Sequence, residues 1–150
     1  MRIIQVTPDI YDIPLPAGSI YPNLRWETDL KHGTSDYEVV EVPLKRFIEL
    51  CKDPAISMKE PASDWPQNMR DNYINGQNPT KPFAMPRIGF SERPKNRSLF
   101  EIITFKPSTI WAVGYTNGRH RVRIAEYLGA EYIPVQIHKS EALDLKSHLT

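Results

Sequence analysis

The stretch from Ile110 to His138 constrains the fold more than any other part of the chain. It opens with Ile110–Tyr115, a nearly continuous apolar run of the kind shown by a strand buried on both faces. Thr116-Asn117-Gly118 supplies a turn. Val122, Ile124, Ala125 and Leu128 then fall on one side of a helix that Gly129 is placed to stop. Glu131–His138 returns to strand character, with Pro134 marking an edge or an irregularity. A strand, a helix and a strand are therefore joined by tight turns within one short block.

The rest of the sequence adds short elements around that block. Tyr37–Val42 alternates and reads as a strand, and Pro43 sits where a helix carrying Leu44, Phe47, Ile48 and Cys51 on one face begins. Arg2–Thr7 and Met85–Phe90 read as strands, as does Leu99–Phe105 from its Phe, Ile and Thr content. Ser91–Arg97 reads as a polar, basic turn. Ser140 is the expected cap of a last helix, Glu141–Leu149. The 14 prolines against 7 glycines stiffen what lies between these elements. Pro8 through Pro22 cannot stay regular for long, and prolines interrupt residues 53–86 except for a helical stretch within Trp65–Ile74. The expectation is an α+β fold, a small mixed sheet packed with short helices. It forms one domain over 1–150, with a proline-rich N-terminal extension (1–36) and a long irregular insertion (53–84).

Charge is uneven along the chain. Residues 1–80 carry 8 Lys and Arg against 12 Asp and Glu, a net of −4, and residues 81–150 carry 11 against 6, a net of +5. The segment 93–123 holds Arg93, Lys95, Arg97, Lys106, Arg119, Arg121 and Arg123 against Glu101 alone. A local basic field in a chain of net charge +1 suits a phosphate-bearing ligand better than general coating of DNA. The single cysteine, Cys51, excludes an internal disulfide and reads as a buried structural thiol. His138 and His148 have no carboxylates at ligand spacing, so no metal site is expected. No run approaches the roughly 20 apolar residues of a membrane span, and the chain reads as cytoplasmic, without membrane insertion.

The chemistry concentrates at Asn117-Gly118-Arg119-His120-Arg121. Where a helix begins after a glycine turn, backbone N–H groups point outward and the helix dipole adds partial positive charge. Three arginines and a histidine around that point make an anion site, and Gly118 would let a ligand approach the backbone. The competing reading makes the arginines a solvated helix face and His120 a core or capping residue.

Thr116 through Ala125, followed by Tyr127-Leu128-Gly129-Ala130 and Ile133-Pro134-Val135, resembles the signature segment of the ParB/sulfiredoxin superfamily, and Val39–Leu44 resembles its opening element. The resemblance implies that Gly118, Arg119, His120 and Arg121, with Asn117, line a nucleotide-phosphate pocket. Sulfiredoxins carry a catalytic cysteine where this chain has Arg119, so sulfinic acid reduction is not expected. Partition-type ParB proteins continue into a helix-turn-helix domain, but this sequence runs to Thr150, about a dozen residues past the last strand, and a complete partition protein is not expected. The wording of the turn is most similar to stand-alone plasmid fertility-inhibition domains, which block conjugative DNA transfer.

Three functions follow as expectations. The first is a nucleotide-binding domain, an ATPase or weak nuclease using ATP or CTP with Mg, in which His120 is the acid–base group and Glu126 the nearest carboxylate besides Glu101. The second is a non-catalytic module that binds DNA through Lys95, Arg97 and Arg123, or binds a transfer-machinery protein. The third is a toxin–antitoxin or defence component whose insertion carries a partner site at Trp65, Tyr73 and Phe83; against it, these aromatics would fill the core under the loop.

Overall fold

A computed structural model describes residues 2–28, 36–51, 60–75, 81–94 and 109–150, the side chains of Arg93 and Pro94 excepted. It is an α+β fold with two four-stranded mixed sheets. The first sheet contains β1 (Ile4–Thr7), β2 (Ile10–Pro14), β3 (Asn23–Glu27) and β5 (Phe83–Ala84) in the order β1-β2-β3-β5, with β3 and β5 parallel. The second contains β4 (Tyr37–Pro43), β6 (Arg87–Pro94), β7 (Thr109–Asn117) and β8 (Tyr132–His138) in the order β4-β8-β6-β7. Four helices accompany them among the described residues: α1 (Leu44–Leu50), α2 (Gln67–Asn75), α3 (Arg119–Tyr127) and α4 (Lys139–Leu149). A 3-10 turn, Ala62–Asp64, precedes α2.

One cluster of buried apolar side chains ties both sheets together, with Trp26 from β3, Phe47 from α1, Phe90 from β6, Ile133 and Ile137 from β8 and Leu145 from α4 at its centre. The N-terminal segment is thus integral to the fold. The expected extension builds β1, β2 and β3, and it does so through the proline stretch, where Ile10–Pro14 pairs residue by residue with Asn23–Glu27. Pro14 and Pro16 fall at the strand's end and beyond it, so they cost the ladder little.

Pro134 lies in β8, which is an interior strand of its sheet, yet the expectation of an edge holds locally. The Gln136 N–H donates to the Pro86 carbonyl (2.8 Å), so the N atoms of Gln136 and Pro134 both face the β6 side. Pairing with β6 covers only Gln136 and Ile137. The donor that proline lacks therefore falls where no strand is paired.

Strand β6 runs from Arg87 through Pro94, so Ser91–Pro94 are strand and not the expected turn, and residues 95–97 lie outside the described residues. Past Ile88 its second edge is met by a side chain, because the Phe90 N–H donates to Glu141 Oε1 of α4 (3.2 Å). Helix α4 starts at Lys139 and is capped by His138, whose Nδ1 accepts from the Ser140 N–H (3.1 Å), rather than by Ser140. The strand expected over Leu99–Phe105 lies outside the described residues.

Candidate functional site

The turn after β7 is built by three local interactions. Asn117 ends the strand, and its Oδ1 accepts from the backbone N–H of Arg87 (3.0 Å), at a register shift between Arg87 and Ile88. Gly118 takes a left-handed φ of 97°, which strains any residue carrying a Cβ. A Cβ there would also stand 2.7 Å from Pro86 Cα and 2.8 Å from Pro86 Cβ. The glycine thus lets two backbone segments approach, with Pro86 in the space a Cβ would take. The first helical bond, Val122 N–H to the Gly118 carbonyl (3.0 Å), then starts α3. At the far end Gly129 N–H donates to Glu126 O and Ala130 N–H to Ala125 O, closing the helix with Gly129 at φ 90°.

The described part of the insertion lies over α3. His120 stacks on Tyr73 of α2, with ring centroids 5.6 Å apart and planes at 8°, and presents its ring to Trp65 at 5.7 Å and 63°. Trp65 is buried, and its indole N–H donates to Glu60 O (3.0 Å). Arg70 Nη1 donates to the carbonyls of Ala62 (3.0 Å) and Trp65 (2.8 Å), and its guanidinium lies over Tyr127 of α3. Trp65 and Phe83 are core residues and Tyr73 packs against the core, which is the core-filling reading of these aromatics.

The remaining candidate residues are dispersed. Arg119 and Arg121 are half-buried at the start of α3. Arg123 turns inward: its side chain is 13% exposed, and Nη1 pairs with Glu126 Oε1 at 2.9 Å. Its charge reaches Cys51 and Tyr115 on the core side of the helix. Glu126 is thereby engaged with an arginine on its own helix, six positions from His120. Lys95, Arg97 and Glu101 lie outside the described residues. Among the described residues no three His, Cys, Asp or Glu side chains cluster as metal ligands.

Cys51 is buried, as expected of a structural thiol. It donates to the Phe47 carbonyl (3.3 Å) and lies 3.3 Å from the Tyr115 hydroxyl. With the thiol proton so placed, the tyrosine donates to sulfur. Burial pushes the thiol up to about 11, against the opposing effects of the Tyr115 hydrogen bond and the Arg123 charge. Burial likewise raises the Tyr115 hydroxyl far above its ordinary range.

Arg87 was not singled out by sequence reasoning. It opens β6 beside the turn and is 8% exposed, with its Nη2 donating to Tyr37 Oη (2.6 Å) and its guanidinium 4.3 Å from that ring's centroid. The available signal was a charged residue between Met85 and Ile88, in a strand otherwise apolar on both sides of it.

No helix among the described residues is long and apolar enough to cross a membrane. Among curated proteins none matches the chain. A crystal structure of the oncogenic suppression activity protein, described as a plasmid fertility inhibition factor and solved as a gold(I) cyanide derivative, aligns with a TM-score of 0.58. The alignment covers 99% of this chain and 73% of that one at 14% identity, a likeness of fold. The family model described as plasmid fertility inhibition factor matches residues 39–150, from within β4 through the turn and α3 to the last helix. With three quarters of its length so matched, the chain belongs to the plasmid fertility inhibition factor family.

Proposed function

We propose that the chain limits plasmid DNA transfer as a non-catalytic binding module of ParB/sulfiredoxin-like fold, acting on DNA or on a protein of the transfer machinery. One observation carries this reading: His120, the residue an acid–base mechanism would need, is stacked on Tyr73 and set edge-on against Trp65, the three rings packing against one another. The neighbouring groups support it, since Asn117 holds β6, Gly118 packs on Pro86, and Glu126 pairs with Arg123. A turn engaged in this way is structural in the same sense as a helix cap. The partner is met elsewhere, and the basic sequence around Lys95 and Arg97 is the segment we assign to DNA.

The test is transfer of a conjugative plasmid from donors expressing the chain, combined with DNA retention by the purified protein. Inhibition should occur without nucleotide hydrolysis or DNA cleavage. Removing Lys95 and Arg97 should weaken DNA retention stepwise and flatten its salt dependence. ATP hydrolysis or DNA cleavage by the pure protein, abolished by His120→Ala in a folded variant, would overturn the reading.

A second reading places ATP or CTP, with Mg, at Asn117–Arg121. It is favoured by Arg119 and Arg121 flanking the first turn of α3, where the helix dipole attracts phosphate. Titration calorimetry with ATP, CTP and GTP, with and without magnesium, on the wild type and Arg121→Ala decides it. Nucleotide heat lost in the variant supports this second reading, and no heat in the wild type removes it.

A further inference from the structure

We propose that the free edge of β4 receives an extended, basic segment of a partner protein as an added strand. The proposal rests on the binding-module reading and gives its protein partner a chemistry.

Strand β4 ends the second sheet, so one of its edges has no strand beside it among the described residues. The pairing with β8 says which backbone groups stand there. The Gln136 N–H points to β6, and alternate residues of a strand turn the same way, so Ile133, Val135 and Ile137 face β4. Their partners are Val42, Val40 and Glu38, which exchange hydrogen bonds with β8. Tyr37, Val39 and Glu41 therefore turn their N–H and C=O groups to the free edge, where they form a template for another backbone.

Two spaces open along that edge, between β4 and the first sheet. The wider, about 270 Å³, is lined by Tyr37 and Val39 on one side and by Asp9 and Tyr11 on the other. The narrower, about 160 Å³, is lined by Val39 and Glu41 facing Ile3 and Tyr11. Along β4 the two are one step of two residues apart. An added strand turns every second side chain to the same face at that same step, roughly 6.6–6.8 Å. Two successive same-face side chains of the incoming segment thus meet the two spaces.

The linings select those side chains. Asp9 and Glu38 line the wider space, and no described Lys, Arg or His does. Asp9 accepts from Thr28 Oγ1 (3.1 Å) and makes no ion pair among the described residues. Burial, and after it the Asp9 charge, raise the Tyr11 hydroxyl above its ordinary range. Glu38 is paired with Lys146, and Glu41 with Arg2, in solvent-exposed pairs that hold their carboxylates only weakly. A lysine or arginine fits the wider space, and a valine-sized side chain fits the narrower one beside Ile3 and Val39. Acidic residues alone would only guard an edge. Here main-chain bonds supply affinity and the two spaces supply specificity.

The experiment is an NMR titration of the full chain with capped seven-residue threonine peptides carrying one lysine and one valine two positions apart, in either order. Control peptides carry glutamate in place of lysine. One order should shift the Tyr37, Val39 and Glu41 amides saturably and slow their solvent exchange at least tenfold, and the Val40 and Val42 amides should keep their exchange rates. The glutamate peptides should bind at least tenfold more weakly. Val39→Pro removes an outward donor from an edge strand, where proline is tolerated, and should abolish binding in a folded protein. Should Val39→Pro not fold, Asp9→Asn keeps the bond with Thr28 and should reduce the preference for lysine over glutamate at least threefold. Amides indifferent to every peptide, equal binding of the glutamate peptides, or a preference unchanged in Asp9→Asn would each overturn the proposal. Shifts of the same amides on concentrating the protein alone would do so as well, by making a second copy of the chain the occupant. Hydrolysis or DNA cleavage by the protein would remove the binding-module reading without altering these shifts, and peptide indifference would leave that reading standing on DNA.

Discussion

Replacing His120 in three ways separates its ring from its nitrogens. The imidazole makes two ring contacts, stacked on Tyr73 at 5.6 Å and tilted against Trp65 at 5.7 Å. At ~0.5–1.5 kcal/mol for each aromatic pair, His120→Ala should destabilise the chain by about 1–3 kcal/mol. His120→Phe keeps a flat ring in the same slot and should stay within about 1 kcal/mol of the wild type. His120→Gln keeps a hydrogen-bonding group but no ring, and should fall close to alanine. Urea unfolding followed by tryptophan fluorescence reads these differences. With a denaturant slope of roughly 2 kcal/mol per molar, alanine and glutamine should move the midpoint by about 1 M and phenylalanine by less than half of that. Transfer inhibition should follow the same order, with phenylalanine active. A phenylalanine variant that is folded but inactive, beside an active glutamine variant, would show that the nitrogens matter and that the stacking argument is wrong.

Three further outcomes follow from the same geometry. Cys51 should resist a thiol reagent at pH 8 in the folded protein and react fully in urea. Its thiol titrates near 9 when unfolded and at about 11 when folded, so the unfolded chain releases its proton first as pH rises. Stability should therefore be full below pH 9 and fall by roughly 3 kcal/mol up to pH 11. Cys51→Ala should lack that part of the decline, whereas the raised Tyr115 hydroxyl maintains a fall above pH 10 in both proteins. Gly118→Ala should cost about 3 kcal/mol, combining the left-handed φ with the approach to Pro86, and a midpoint matching the wild type would contradict that packing. Arg70→Ala removes charge-assisted bonds to Ala62 and Trp65 and should speed proteolysis within 60–75 about tenfold while the core stays folded. Unchanged cleavage would mean that the aromatic contacts alone hold the segment.

The sequence was most informative where local chemistry decides conformation. Strand β4 with its Pro43 junction, the turn at Gly118, the Gly129 stop and the last strand all carry residues whose backbone preferences match their positions. The N-terminal strands were less visible, because pairing between Ile10–Pro14 and Asn23–Glu27 outweighs the proline signal between them. The cap of α4 lies two residues earlier than expected, since His138 Nδ1 reaches the Ser140 N–H.

The candidate site divides in the same way. The segment Asn117–Arg121 stands out along the chain, but its surroundings come from residues distant in sequence: Pro86 and Arg87 on β6, and Trp65 and Tyr73 from the insertion. Periodicity reports which face of an element is apolar, and it does not report which distant ring will lie against a histidine. Arg123 illustrates the limit, since its alternation with Arg119 and Arg121 resembles an outward-facing run although its guanidinium turns toward Glu126.

The carboxylate of Glu141 has a consequence for solubility. It occupies the Phe90 N–H at the point where β6 has left β8, and Gly89 leaves room for it, with the nearest carboxylate oxygen 3.3 Å from where a Cβ would stand. A strand whose free edge is closed by a negative charge is a poor template for another chain's backbone. The last helix therefore guards the sheet against self-association. Shortening the protein before Glu141 would uncover a β-edge flanked by Phe90 and Ile88, and the product would be lost to aggregation before any effect on DNA transfer could be measured.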